Sequence, residues 1–527
     1  MKENYLSDNQ AAVPTHISDV VKPWADRSPD RPALAESDGT WTYRQLATIV
    51  RETQSWLLES GVRPGDRVMI VGENCRAFVA LFLATVGVDA WPVLVNAHLS
   101  AREVDGIRDH CGARRAIYTS KVSAHAFEHA KRQGAALVEL PDLGALHVSP
   151  LNDRVEPESI DTNPENCVAA LIYTSGSTGQ PKGVMLTHRN LLFVAAASAK
   201  IRSLTPDDRL YGVLPMSHAV GLSVVLLGTL ISGATLYVVP RFDPLTARVS
   251  LERDALTIML GVPSMFVQFL QYAKLRNLKK LQFPALRIIS SSGAPLDPAV
   301  KTATEELFGL VLHNGFGITE CSPNIAQTRI EAPRSDTSVG QVLPGVEINL
   351  IGPDGQAVAD GEVGELWVRG PNIMKGYYLD PDETSAAINA EGWFNARDLA
   401  RREDGNLFIV GRTKDLIVRH GFNVYPAEVE QVLNMHPAVA LSAVIGRSVH
   451  GNEEIVAFVQ LLPEASSTSA DLEEYAVQYL APYKRPSQIV IVSLMPTTAT
   501  GKIAKAELKK NAEGSQFQAH VGTKVNG

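Results

Sequence analysis

Four hydroxyl side chains (Thr174, Ser175, Ser177, Thr178), two glycines (Gly176, Gly179) and Lys182 fall within nine positions, in the stretch Leu-Ile-Tyr-Thr-Ser-Gly-Ser-Thr-Gly-Gln-Pro-Lys-Gly at 171–183. Glycines let backbone N–H groups turn toward one point and form an anion nest. Hydroxyls add donors, and the lysine adds a compact positive charge. The chemistry open to such a group is the cradling of a polyphosphate. The pattern is not the P-loop G-x-x-x-x-G-K-[ST], because Pro181 stands where that pattern has glycine and Gly183 where it has Ser or Thr. A polar surface loop has the same composition, so the stretch needs support from elsewhere in the chain.

The elements that must hold this loop follow from the apolar pattern. Val168–Tyr173 reads as a buried strand leading into it, with further strands at Arg67–Val71, Ala116–Tyr118, Thr235–Val239, Thr257–Leu260, Leu286–Ser290 and Leu310–His313. Helical stretches such as Cys75–Val88 and Pro298–Phe308 lie between them. The alternation predicts an α/β fold whose large N-terminal body holds two mostly parallel, helix-flanked sheets, with ligands bound at the carboxyl ends of strands. From about Gly340 the rhythm changes: strands at Glu347–Ile351, Gly364–Val368, Leu407–Val410 and Asp415–Arg419 are separated by turns such as Pro353-Asp354-Gly355 and Glu403-Asp404-Gly405. An antiparallel β subdomain is expected there. After Arg412 a small α+β C-terminal domain of roughly 110 residues is expected. It has helices at Pro426–Asn434 and Ser469–Tyr479 and strands at Leu441–Ile445, Ile455–Leu461 and Ile489–Val492. The polar stretch Asn511–Gly527 should fray.

Composition narrows the function classes. The 527 residues imply more than one domain. A formal net charge of −8 provides no footprint for nucleic acid or an anionic membrane. The longest apolar stretch, Phe78–Val95, contains Asp89 and Pro92 and reads as a helix followed by a buried strand, so no membrane insertion is expected. The first ten residues lack a secretory leader pattern. Cys75, Cys111, Cys167 and Cys321 are scattered without a C-x-x-C pair, which fits a reducing cytoplasm and points to neither a metal centre nor a disulfide framework.

Six stretches then agree in order: the loop at 174–183, Asn314-Gly-Phe-Gly-Ile-Thr-Glu320, Gly392-Trp-Phe-Asn-Ala-Arg-Asp398, Gly411-Arg-Thr-Lys-Asp415, Tyr425-Pro-Ala-Glu-Val-Glu430 and Pro496-Thr-Thr-Ala-Thr-Gly-Lys502. Together they resemble the adenylate-forming superfamily of acyl- and aryl-CoA synthetases, peptide-synthetase adenylation domains and beetle luciferases, most nearly an acid–CoA ligase. The resemblance spans essentially the whole chain. It implies a large adenylation domain at 1–412, a hinge at 413–415 and a small C-terminal domain at 416–527. It also implies two steps, attack of a carboxylate on the α-phosphate of ATP and displacement of AMP by a thiol.

Site roles follow from the same resemblance. Thr174, Ser175, Gly176, Ser177, Thr178, Gly179 and Lys182 would hold the β- and γ-phosphates. Asn314, Gly315, Phe316 and Gly317 would line the adenine, with Phe316 stacking where tyrosine is usual. Ser292, Gly293, Ala294 and Pro295 would form the nucleotide's other wall. Thr319 would bond the α-phosphate, and Glu320 would ligate Mg²⁺. Asp398 and Arg412 would bind the ribose, although Ala396-Arg397 replaces the usual Thr-Gly before the aspartate. Lys502 would bridge the attacking carboxylate and the α-phosphate, and Lys414 would be the hinge. Gly421 would admit the pantetheine arm of coenzyme A, with His420 in place of a small residue. Arg485, in Tyr483-Lys-Arg-Pro486, would meet the CoA phosphates, a solvated basic turn being the alternative.

For the acid, Met216-Ser-His-Ala-Val-Gly-Leu222 and Val262-Pro-Ser-Met-Phe266 are the expected specificity segments, with His218 closing over the carboxylate. No aspartate lies between 215 and 225 to hold an ammonium. The expected substrate is therefore an uncharged aryl or short- to medium-chain acyl acid. The thiol is CoA or, as the second reading, a carrier protein's phosphopantetheine. Homodimerisation stays open.

Overall fold

The computed structural model describes residues 13–175, 181–420, 422–449, 452–462, 465–497 and 503–513. The chain divides into two compact units. The first comprises Met1–Gly293, Thr304–Ile348 and Trp367–Ala396, and the second comprises Ala294–Ala303, Asn349–Leu366 and Arg397–Gly527.

Two large sheets make the first unit. One has eight strands in the order Gly376–Tyr377, Pro181–Thr187, Val168–Ser175, Trp91–Asn96, Arg67–Gly72, Arg115–Tyr118, Gly144–Val148 and Ala136–Leu140. Its middle is parallel: Val93 and Leu94 pair with Leu171 and Ile172, and Arg67–Gly72 runs in register with Trp91–Asn96. Every residue of those last two strands is buried, which is why they read as continuous apolar runs without polar alternation. The other sheet has nine strands, with Leu312–Gly317, Ile288–Ser291, Ile258–Gly261, Arg209–Gly212, Thr235–Val238 and Pro32–Glu36 as its parallel core. Both sheets end in antiparallel edges, which the sequence pattern does not announce. The predicted helix and strand within Phe78–Val95 are Arg76–Gly87 and Trp91–Asn96. Among the described residues no helix is long and apolar enough to cross a membrane.

The described residues of 174–183 belong to two paired strands. Val168–Ser175 continues through the first hydroxyls, and Pro181–Thr187 returns antiparallel beside it, with Thr174 opposite Lys182 and Ser175 opposite Pro181. Thr187 then caps the helix His188–Ile201 in a reciprocal bond pair with Asn190.

In the second unit, the three-stranded sheet Val439–Val449, Asn452–Leu461 and Gln488–Val492 is apolar on both faces. Val444, Ala457 and Val459 pack with Val429, Leu433, Leu472 and Ala476 of the helices Pro426–Asn434 and Ser469–Tyr479. Their strand neighbours Ala443, Ile445, Val456 and Phe458 pack on Met495 and Leu508 instead, as the two-residue strand period requires. A four-stranded sheet of Glu347–Ile351, Val363–Arg369, Phe394–Glu403 and Asn406–Arg412 carries most of its residues in this unit. Two local expectations are corrected in part. The strand predicted at Asp415–Arg419 begins only at Ile417, because Thr413–Asp415 forms a 3-10 turn. The first three residues of the stretch expected to fray, 511–513, are helical as the end of Lys505–Glu513, and 514–527 lie outside the described residues.

One buried group makes the first unit sensitive to acid. His188 accepts a hydrogen bond at Nδ1 from the Ile17 N–H at 3.0 Å, and its ring stacks on His16 at 3.8 Å. Burial, with the neighbouring His16 charge, pushes its pKa down from 6.5 to about 3. The unfolded chain thus binds a proton below pH 6.5 that the folded chain refuses until about pH 3, so stability falls as pH drops through that window. Denaturant midpoints measured across it should drop steeply for the parent chain and less steeply for His188→Gln.

Candidate active site

Lys182 is the best-anchored cation of the hydroxyl-rich hairpin. Its side chain is only 13% exposed, its Nζ lies 2.7 Å from Glu383 Oε1, and it stands 5.3 Å from the centroid of the Tyr377 ring. The strand Gly376–Tyr377 reaches this position by pairing antiparallel with Val184 and Met185. The chain then turns at Asp380, whose carboxylate accepts the Glu383 N–H at 3.1 Å and caps the helix Pro381–Ala387. Asp-Pro-Asp-Glu is thus a helix start with acidic residues in its first turn, and that start aims Glu383 at the lysine. Gly183 is closely packed: a Cβ there would meet the Tyr173 ring at 3.1 Å and Leu171 at 3.2 Å. Gly176, Ser177, Thr178 and Gly179 lie outside the described residues, and nothing is described of the Ser175 side chain.

Glu320 sits in the 3-10 turn Thr319–Cys321 just beyond the strand Leu312–Gly317. Its Oε1 accepts the Tyr377 hydroxyl at 3.0 Å, and its backbone carbonyl accepts the Met374 N–H at 2.8 Å. Lys182 and Glu320, distant in sequence, therefore meet at one aromatic ring. Thr319 and Phe316 are half-buried on the same run. Gly317 admits no side chain, because a Cβ would fall 1.8 Å from the Pro323 carbonyl oxygen. Asn314 is buried, with its amide N–H on the Thr337 carbonyl at 3.0 Å and its Oδ1 accepting the Gly315 N–H. Ser292-Gly293-Ala294-Pro295 follows the strand Ile288–Ser291, with Gly293 at φ +82°. Among the described residues no group of three or more His, Cys, Asp and Glu could enclose a metal. A single oxygen ligand such as Glu320 fits Mg²⁺ carried largely by phosphates, not one caged by protein.

In the second unit Asp398 and Arg412 face each other across the strands Phe394–Glu403 and Asn406–Arg412, with Arg412 Nε 3.3 Å from Asp398 Oδ1. The aspartate is buried and the arginine half-exposed. Arg397 takes φ +56° and His420 takes φ +52°. The two replacements in the family pattern thus both occupy the left-handed region, and each carries a full side chain there. Thr413 ties this region by donating to Glu365 and to the Arg397 carbonyl, both at 3.2 Å. Lys414 is exposed in the next position. Arg485 spends its guanidinium on the carbonyls of Leu480 at 2.9 Å and Val477 at 3.2 Å, at the end of the helix Ser469–Tyr479. Gly421 and Lys502 lie outside the described residues.

His218 is half-buried between the loop Gly212–Met216 and the π-helix Val220–Leu227. The loop is pinned by Asn74, whose amide N–H₂ donates to Gly212 O at 3.1 Å and Leu214 O at 2.9 Å while its Oδ1 accepts the Met216 N–H at 2.8 Å. Gly221 is required where the helix begins, because a Cβ would lie 2.1 Å from the Pro215 carbonyl oxygen. Tyr377, Glu383 and Asn74 were not foreseen from sequence. The helix-start signature could have flagged Glu383, whereas Tyr377 and Asn74 carry no local signal.

The chain as a whole is similar to known proteins. The AMP-binding enzyme family matches residues 21–378 and its C-terminal domain matches residues 428–502. The chain is 33% identical to a feruloyl-CoA synthase from Amycolatopsis sp, over 92% of this chain and 97% of that one. It is 30% identical to a 4-coumarate–CoA ligase from Pinus taeda, over 91% and 92%. It superposes with a TM-score of 0.80 at 28% identity on the O-succinylbenzoate coenzyme A synthetase from Bacillus subtilis in complex with ATP and magnesium, covering 93% of this chain and 99% of that one. The chain belongs to the family of AMP-binding, adenylate-forming enzymes, in its acid–CoA ligase class.

Two measurements check this geometry. Asn74→Ala leaves buried loop groups without their partner and should cost about 2–3 kcal/mol in chemical denaturation. At the left-handed Arg397, Arg397→Gly should hold or raise the melting temperature. Arg397→Val should lower it by the equivalent of about 1–2 kcal/mol.

Proposed function

We propose that this chain is an ATP- and Mg²⁺-dependent ligase joining a neutral, mostly apolar carboxylic acid, aryl or short- to medium-chain acyl, to coenzyme A. The observation that carries the reading is the meeting of Lys182 and Glu320 at Tyr377. It brings together the cation and the carboxylate that phosphate chemistry needs. In the first step the substrate carboxylate forms a bond to the α-phosphorus, and the bond to the pyrophosphate oxygen breaks. The substrate supplies its own nucleophile, so the protein's part is to position and to neutralise charge. Lys182 meets the β- and γ-phosphates with Thr174 and the hydroxyls and glycines of 175–179, while Thr319 bonds the α-phosphate. Mg²⁺, when bound, offsets phosphate charge, and Glu320 holds it. Asn314–Gly317 and Ser292–Pro295 flank the adenine, and Asp398 with Arg412 binds the ribose. Lys502 stabilises the charge growing on phosphorus.

In the second step the thiol sulfur bonds to the acyl carbon, AMP leaves, and the thiol proton is released. We assign 1–412 to the adenylation domain and 416–527 to a small domain that turns about Lys414 at 413–415, bringing Gly421 to the thiol. The apolar, small-residue segment 216–222 supports an uncharged acid, and relatives named for ferulate and coumarate support an aryl one. The Arg485 guanidinium is turned to helix carbonyls and the Lys484 ammonium pairs with Glu428, so both cations of the 483–485 turn already have protein partners.

Pyrophosphate release screened across aryl and short- to medium-chain acids, with and without CoA, tests the substrate and the thiol. Turnover of a neutral acid with CoA is expected, whereas selective turnover of free amino acids, or release supported only by a phosphopantetheinylated carrier protein, would overturn the assignment. Single-turnover kinetics test the division of labour. Lys502→Ala should abolish adenylate formation yet still convert supplied acyl-adenylate and CoA to thioester. Lys414→Pro should do the reverse, because proline fixes φ at the hinge. Equal losses in both steps for both variants would rule out the turning domain.

A further inference from the structure

The Tyr377 side chain touches both ionic groups of the proposed phosphate site. Its hydroxyl donates to Glu320 Oε1 at 3.0 Å, and its ring lies beneath Lys182 Nζ at 5.3 Å. The tyrosine is itself held from several sides. Its backbone pairs with Val184, its N–H donates to Thr384 Oγ1 at 2.9 Å, and its side chain is buried. The next residue, Tyr378, points the other way, as strand alternation demands. Its hydroxyl donates to Glu158 at 2.7 Å and its N–H to the Gly183 carbonyl at 2.7 Å. The two tyrosines thus divide the work: Tyr378 fastens the hairpin from behind, and Tyr377 addresses the charged face.

We infer that Tyr377 is a positioning residue for the phosphate site, setting the direction of the Glu320 carboxylate through its hydroxyl and the station of Lys182 through its ring. The inference rests on the reading in which Glu320 takes Mg²⁺ and Lys182 takes phosphate. A carboxylate tethered through one oxygen presents its remaining lone pairs along a fixed line. An untethered one samples a broad terminal torsion and must be ordered when the cation arrives. The ring acts separately. Its face attracts the ammonium and keeps it near the strand without consuming its three donors.

The hydroxyl and the ring can be removed one at a time. ATP is titrated calorimetrically into the full chain, with and without Mg²⁺, for the parent, Tyr377→Phe, Tyr377→Leu and Glu320→Gln. Tyr377→Phe keeps the ring, so ATP affinity without Mg²⁺ should stay within about twofold of the parent. The tightening produced by Mg²⁺ should shrink by on the order of tenfold. Tyr377→Leu should lose that tightening and also bind metal-free ATP more weakly. Tyr377→Phe with the parent's full Mg²⁺ response overturns the inference. So does an equal weakening with and without Mg²⁺, which is the mark of a merely loosened fold. If Glu320→Gln loses the Mg²⁺ response while Tyr377→Phe keeps it, the positioning role alone fails. If Glu320→Gln keeps it, the assignment of Glu320 to Mg²⁺ fails and the inference falls with it.

Discussion

A lysine ammonium held mostly out of water on the second strand of a hairpin has to be answered by nearby charge, and the architecture around Lys182 follows from that requirement. Desolvating a cation is costly unless an anion or an aromatic face replaces the lost water. Here the replacement comes from a segment almost 200 residues further along the chain. Glu383 supplies the anion at 2.7 Å and Tyr377 supplies the ring face. Both depend on the short strand Gly376–Tyr377 adding to the hairpin edge, and on Asp380 starting a helix immediately afterwards. The chain thereby holds the Lys182 ammonium beside an internal carboxylate. On the proposed function, a polyphosphate arriving there would meet a charge already in place.

The same economy of position appears where the chain departs from the pattern of its family. Arg397 and His420 stand where the motif pattern of the resemblance has glycine or a small residue, and both adopt positive φ. The backbone path is kept and a side chain is added to it, at a local conformational cost of about 1–2 kcal/mol for each residue. The surroundings hold them there: the Arg397 carbonyl accepts from Thr413, and the His420 N–H donates to Asn452 Oδ1 at 2.8 Å. Asp398 follows Arg397 directly within the strand Phe394–Glu403, and its buried side chain lies against Arg412.

Much of the fold was legible because burial leaves a periodic trace. The fully buried parallel strands read as apolar runs, and the helices Pro426–Asn434 and Ser469–Tyr479 begin and end at the expected residues. Edges were harder. Gly39–Thr42 and Ala136–Leu140 are short and half-exposed, so their composition resembles that of loops. The hairpin at 168–187 was missed for a related reason. Hydroxyls and glycines signal a turn but do not say whether the chain leaves it as a helix or as a returning strand.

Sequence alone determined the class of chemistry, through a resemblance: the hydroxyls and glycines before Lys182, Thr319 beside Glu320 and the stretches around Asp398 and Arg412 stand in the order of the adenylate-forming motifs, and that is the family to which the chain belongs. It also determined the α/β character, because alternating buried strands and helices are a local property of the pattern. Only the tertiary structure decided which side chains hold those groups in place. Tyr377, Glu383 and Asn74 act on partners 57, 201 and 142 residues away. Their local sequence records what they are and not what they face. Contacts of that kind arise from sheet order and strand register, which are set by the packing of the whole unit and leave no periodic trace along the chain.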